Sequence, residues 1–209
     1  MAPVNPEPYA LRKEDLPELV AQHPLAWVVS VDREDVAATV IPVRPRSDGD
    51  GRLVSLVGHF ARRNRHLDLL RRQPRATILT LGPNAYISPS WLEDRQQAPT
   101  WSYVSAVFVA DVELFDAPDR IEPLLHDLVD AQEQGQPARW SATELGARFP
   151  KLSRGIVGFE ARIVHETGIG RLGQSERRDV YRDIVQGLTQ SGAEQLLGWM
   201  RRYEVDEQV

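Results

Sequence analysis

The chain has 209 residues, 42% of them hydrophobic and 26% charged, with a net charge of −5; this globular composition excludes disorder and fibrous repeats and gives no global attraction to nucleic acid. It has no cysteine, which excludes disulfides, thiolate nucleophiles, iron–sulfur clusters and cysteine-bearing zinc sites. No run reaches the ~18 uninterrupted apolar residues of a membrane span, and the start Met1-Ala2-Pro3-Val4-Asn5-Pro6 has neither a basic nor an apolar leader pattern, so one cytoplasmic domain over residues 1–209 is expected.

Residues 1–24 read as a helical lead-in: Leu16, Leu19 and Val20 fall at helical spacing and Pro24 ends the run. Leu25 to Val31 and Val36 to Val43 are rich in β-branched residues and flank the charged tetrad Asp32-Arg33-Glu34-Asp35, which predicts a hairpin. Ser47 to Gly51 is a second turn, leading to a strand over Arg52 to Val57. Ala61 to Arg72 reads as a helix with Leu67 and Leu70 inward, and Ala76 to Leu81 as strand. Gly82-Pro83-Asn84 is then expected to turn the chain into Ala85 to Ser88, followed by a polar loop, Pro89 to Pro99.

From Ser102 to Leu114 the even positions Val104, Ala106, Phe108, Ala110, Val112 and Leu114 are apolar, a period of two that marks a half-buried strand. Ile121, Leu124, Leu125, Leu128 and Val129 give helical spacing, Ser141 to Glu144 has capping-box spacing, and Ile156 to His165 alternates again as a last strand. Residues 175–209 read as C-terminal helices, with Ser191 to Glu194 as a second capping box. Strands joined mostly by turns favour an antiparallel barrel over a doubly wound sheet. Gly168-Ile169-Gly170-Arg171-Leu172-Gly173 matches a dinucleotide fingerprint, but only helices follow it, so a glycine turn is the better reading.

Two segments carry chemistry: Gly58-His59-Phe60-Ala61-Arg62-Arg63-Asn64, and Gly82 to Trp91 with Pro99-Thr100-Trp101-Ser102-Tyr103. The first is a strand-to-helix corner, where unpaired N–H groups accept a phosphate, Arg62 offers a fork and Asn64 a donor. The second supplies aromatic walls in Tyr86, Trp91, Trp101 and Tyr103 and hydroxyl donors in Ser88 and Ser90, which together suit a flat ligand. His66, His126 and His165 lack metal-ligand spacing and read as surface or structural, so no metal site is expected. Arginines 62, 63, 65, 71, 72 and 75 read as a solvated face with one or two on a phosphate. No hydrolase elbow is present.

These residues resemble the signature of the PaiB family of FMN-binding proteins: Gly58, His59, Ala61 and Asn64, then Ala85 to Trp91, then Pro99, Thr100, Trp101 and Tyr103, with Ala38-Thr39 and Pro42 on the second strand. Order and spacing agree over roughly residues 10 to 190. The resemblance implies a mainly β fold with peripheral helices, the FMN-binding split β-barrel related to pyridoxamine-phosphate oxidase. It also implies a homodimer with FMN at the subunit interface, and a flavin pocket of Thr39, Gly58, His59, Arg62, Asn64, Ser88, Ser90, Trp91 and Trp101. The chain departs from the family at Val40 and Phe108, where histidine is usual, and at Leu92 and Ser102. The implied role is a flavin-dependent regulator or redox sensor of transcription. The alternatives are an FMN-dependent oxidoreductase taking electrons from NAD(P)H and haem binding in the same barrel class. DNA as a partner finds no support in the charge, and catalytic residues are not identifiable.

Overall fold

The computed structural model describes residues 9–33 and 35–204; the first residues of the lead-in, Glu34 of the hairpin turn and the C-terminal five lie outside the described residues. Helix α1 is Leu16–Gln22, and its buried Leu16, Leu19 and Val20 form the stripe read from sequence. Strands β1 (Leu25–Asp32) and β2 (Asp35–Pro42) form the expected hairpin, Asp32 facing Asp35 across the turn. Then come β3 (Arg44–Ser47), β4 (Leu53–Ala61), α2 (His66–Arg72), β5 (Arg75–Ile87), β6 (Thr100–Phe115), α3 (Pro118–Glu133), α4 (Phe149–Ser153) and β7 (Ile156–Arg171), and finally α5 (Arg178–Gln190) and α6 (Glu194–Arg202). The strands make one antiparallel sheet in the order β2-β1-β5-β6-β7-β4-β3. No helix among the described residues is long and apolar enough to cross a membrane.

The chain divides into two compact units, one of residues 14–80 and 107–166, the other of residues 1–13, 81–106 and 167–209. In the first, Phe60, Phe108 and Phe159 are fully buried, with the Phe60 and Phe159 rings 5.2 Å apart. α3 lays Leu124 and Leu128 on Val57, with Phe115 against the same cluster. Ser141 makes both halves of its capping box with Glu144, as its spacing predicts. In the second unit α5 and α6 bury Val180, Ile184, Leu188, Leu196, Leu197, Trp199 and Met200, and the backbone of Ala10 bridges to Ile169.

Four local expectations are corrected. β3, an Arg-Pro-Arg-Ser edge strand, is too short and polar to show in the sequence pattern, and an edge tolerates its proline. β5 runs through Gly82-Pro83-Asn84 without a break, and these residues mark the place where buried positions change from even to odd numbers. α2 starts at His66, not Ala61, because β4 stays paired with β7 up to Ala61↔Ile156. Ser191 does not cap α6; its Oγ donates to the carbonyl of Leu188 at the end of α5.

Candidate functional site

At the end of β4 the chain leaves the sheet through Arg62 to Arg65 and enters α2. Gly58 is buried, and a Cβ there would lie 2.9 Å from the Phe159 ring and from the Pro42 carbonyl, so glycine is what lets β4 pack so closely. His59 is half-buried, and its Nδ1 meets no hydrogen-bond partner among the described residues. Thr39 Oγ1 is 3.0 Å from His66 Nδ1 and accepts from Asn64 Nδ2 at 3.4 Å, while Asn64 Oδ1 accepts the His66 N–H at 3.0 Å. The three side chains thus form one hydrogen-bonded chain, and the other imidazole nitrogen of His66, Nε2, is buried without a partner among the described residues.

Two of the expected residues, Thr39 and Asn64, are thus brought together through His66, which the sequence reading set aside as surface or structural. His66 sits four residues before Leu70 on the buried face of α2, so the helical spacing could have placed it inward. Arg62, expected to fork a phosphate, has three donors engaged. Nε donates to the Arg154 carbonyl at 2.8 Å, Nη1 to Asp116 at 3.0 Å and Nη2 to the Ile156 carbonyl at 3.0 Å. The backbone N–H groups of Arg63 and Arg65 donate to nothing among the described residues, and neither side chain has an ion-pair partner among them. Burial holds the imidazoles of His59 and His66 below the ordinary histidine value, so both are neutral at neutral pH.

The remaining expected residues lie in the other unit. Ser88 caps a short 3-10 turn, Pro89–Trp91, by accepting the Ser90 N–H, and the two hydroxyls lie 2.7 Å apart. Trp91 rests on α5 at Gly187, where an added Cβ would fall 2.5 Å from the indole ring. Trp101 is exposed and packs edge-on against Tyr86 at 5.9 Å.

One face of the β1–β2 hairpin and β5 leaves apolar side chains in solvent. Trp27 stands in register between Val40 and Leu79, and the three are 53%, 45% and 37% exposed. Leu25, Val31 and Val36 extend the same face. Contiguous apolar patches of this kind are common at interaction surfaces.

A family model described as "Putative FMN-binding domain" matches residues 5–165. Protease synthase and sporulation protein PAI 2 of Bacillus subtilis (strain 168) is 24% identical over 180 residues, spanning 84% of this chain and 83% of its own. Among solved structures, the FAD and heme binding protein from Mycobacterium smegmatis matches 87% of this chain and 80% of its own, with a TM-score of 0.61 and 21% identity. Flavocytochrome Anf3 from Azotobacter vinelandii matches 82% of this chain and 73% of its own, with a TM-score of 0.61 and 15% identity. These two structures carry the fold, a flavin-binding split barrel with helices around the sheet. With the motif residues in order and the match over residues 5–165, the chain belongs to the PaiB family of FMN-binding domains, and its cofactor is FMN.

Proposed function

We propose that the corner between β4 and α2 holds the phosphate end of FMN and that a homodimer uses the flavin as a redox-sensing or regulatory ligand, not as the centre of a fast reductase. The observation that carries this reading is the pair of backbone N–H groups, of Arg63 and Arg65, that donate to nothing among the described residues where the chain passes from β4 into α2. Such donors beside two exposed arginines fit an anion. Asn64 keeps a second amide hydrogen for the ligand while its first fixes Thr39. Gly58 sets the depth of the strand, and Arg62 ties the corner to Asp116 and to the start of β7.

When bound, FMN supplies an isoalloxazine that takes up and returns one or two electrons. Burial holds His59 and His66 neutral, and Val40 and Phe108 stand where the family usually has histidine, so few groups of this chain can deliver a proton to a reduced flavin. This favours holding over turnover. In the other unit we assign Trp101 to a flavin or subunit contact because its ring is exposed, while Ser88, Ser90 and Trp91 act through the turn they build. The homodimer rests on the apolar face around Trp27, Val40 and Leu79. The Bacillus relative's name, which refers to protease synthase and sporulation, is in keeping with a regulatory role.

The test is anaerobic mixing of the FMN-loaded protein with NADH or NADPH. Bleaching over many minutes is expected; bleaching at tens per second, an ordinary turnover rate, overturns the proposal in favour of an oxidoreductase. The absorption spectrum of the purified protein tests haem in the same measurement through its Soret band. A gel shift against the DNA upstream of its own gene, repeated at rising salt, tests the transcriptional half.

A further inference from the structure

A cavity of about 580 Å³ opens between the turn that leaves β7 and helices α5 and α6. It lies within one unit and shares no residue with the β4–α2 corner. Its volume is in the range of small-molecule sites.

The cavity is built with some care for its shape. Tyr181, Val185 and Tyr203, each partly exposed, give it an accessible apolar lining over the buried Leu172, Leu197 and Met200. Gly173, at φ +82°, makes the turn, and a Cβ there would lie 2.9 Å from the Tyr181 ring, which forms a wall. Gln174 locks the turn by donating to the Gly170 carbonyl at 2.7 Å and accepting the Leu172 N–H at 2.8 Å. The glycines that imitate a dinucleotide fingerprint therefore serve this turn and the end of β7. Arg182 and Arg201 line the opening, and neither side chain has a hydrogen bond or ion pair among the described residues. With Arg178 on one side of the ledger and Glu176 and Glu204 on the other, the lining carries one net positive charge.

We propose that this cavity binds a small monoanion with an apolar body, such as an aromatic or medium-chain carboxylate, its charge met by Arg182 and Arg201 and its body by Tyr181, Val185 and Tyr203. Burial raises the Tyr181 pKa above its ordinary value, with the Glu204 charge adding to the shift and the Arg201 charge opposing it, so its hydroxyl stays protonated and is available to donate to a carboxylate.

Calorimetric titration of the FMN-saturated full chain with octanoate, benzoate, octanol and octylammonium tests this. Octanoate should bind at least ten-fold more tightly than octylammonium. Arg182→Gln and Arg201→Gln should each weaken octanoate several-fold, and together at least ten-fold, with octanol binding and the melting temperature unchanged. Equal affinity for octanoate and octylammonium, no binding of either carboxylate at millimolar concentration, or full octanoate binding in the double variant overturns the proposal. If the variants lose octanol as well, they have damaged the cavity, and the octanoate-to-octylammonium ratio of the unaltered protein decides. Saturation with FMN separates this site from the flavin site.

Discussion

Gly187 stands inside α5, where alanine is ordinarily worth about 1 kcal/mol more than glycine. A Cβ at this position, however, would lie 2.5 Å from Cδ2 and Cε3 of Trp91 and 2.9 Å from its Cγ. These atoms belong to the rigid ring near its attachment, so the indole must move as a body. Overpacking of this kind costs about 1–3 kcal/mol, which outweighs the helix gain and leaves Gly187→Ala destabilising by about 1 kcal/mol. In a domain of this size that lowers the melting temperature by about 2–4 °C. In a Trp91→Ala background the obstacle is gone, and the same substitution should stabilise by up to about 1 kcal/mol. Urea unfolding of the four proteins measures this change of sign as a coupling. If Gly187→Ala has one and the same effect in both backgrounds, Trp91 is not seated on the glycine and the reasoning fails.

Thr39→Val removes the hydroxyl that joins Asn64 to His66, and should cost about 1–3 kcal/mol in stability and weaken FMN in a fluorescence titration; unchanged values would place the relay outside the site. Because burial depresses the pKa values of His59 and His66 below the ordinary 6.5, the unfolded chain binds more protons than the folded one as pH falls below that value. Their contribution to stability is therefore complete above pH 6.5 and is lost below it; melting curves from pH 8 to 5.5 should show a steeper decline for the unaltered protein than for His66→Gln. Trp27→Glu puts a charge at the centre of the apolar face and should convert the proposed homodimer to a monomer in sedimentation; a dimer that persists would place the interface elsewhere. Arg63→Ala, which leaves Arg62 in its ion pair, should weaken FMN by several-fold and riboflavin hardly at all; equal losses would argue against a phosphate at the corner.

Much of the architecture was legible because burial writes a period into the chain. Val104 to Val112 alternate and are buried, and Ile121, Leu124 and Leu128 recur at helical spacing on the covered side of α3. What was not legible depends on partners far away in sequence. Gly82-Pro83-Asn84 has the composition of a turn, yet β5 runs through it as strand within the sheet, so local preference does not decide here. The helix at Ala61 was expected one turn too early for the same reason, since β7 claims that residue. At the corner, sequence pointed to His59, Thr39 and Asn64 but could not show that Arg62 is occupied by Asp116 and two carbonyls, nor that His66 joins the other two.

The pairing of β4 with β7 joins Gly58 to Phe159 and Ala61 to Ile156, partners about a hundred positions apart. Closing so long a loop is slow compared with forming a hairpin or a helix. During synthesis the β1–β2 hairpin can form early, but β4 must wait for the last strand to emerge before its second edge is covered. A nascent chain stopped before residue 156 carries His59 and Asn64 yet has no strand to set them against. With FMN placed at this corner as proposed, competence to bind it comes late in folding, and a ligand that recognises the finished corner stabilises only chains that have completed that long-range closure.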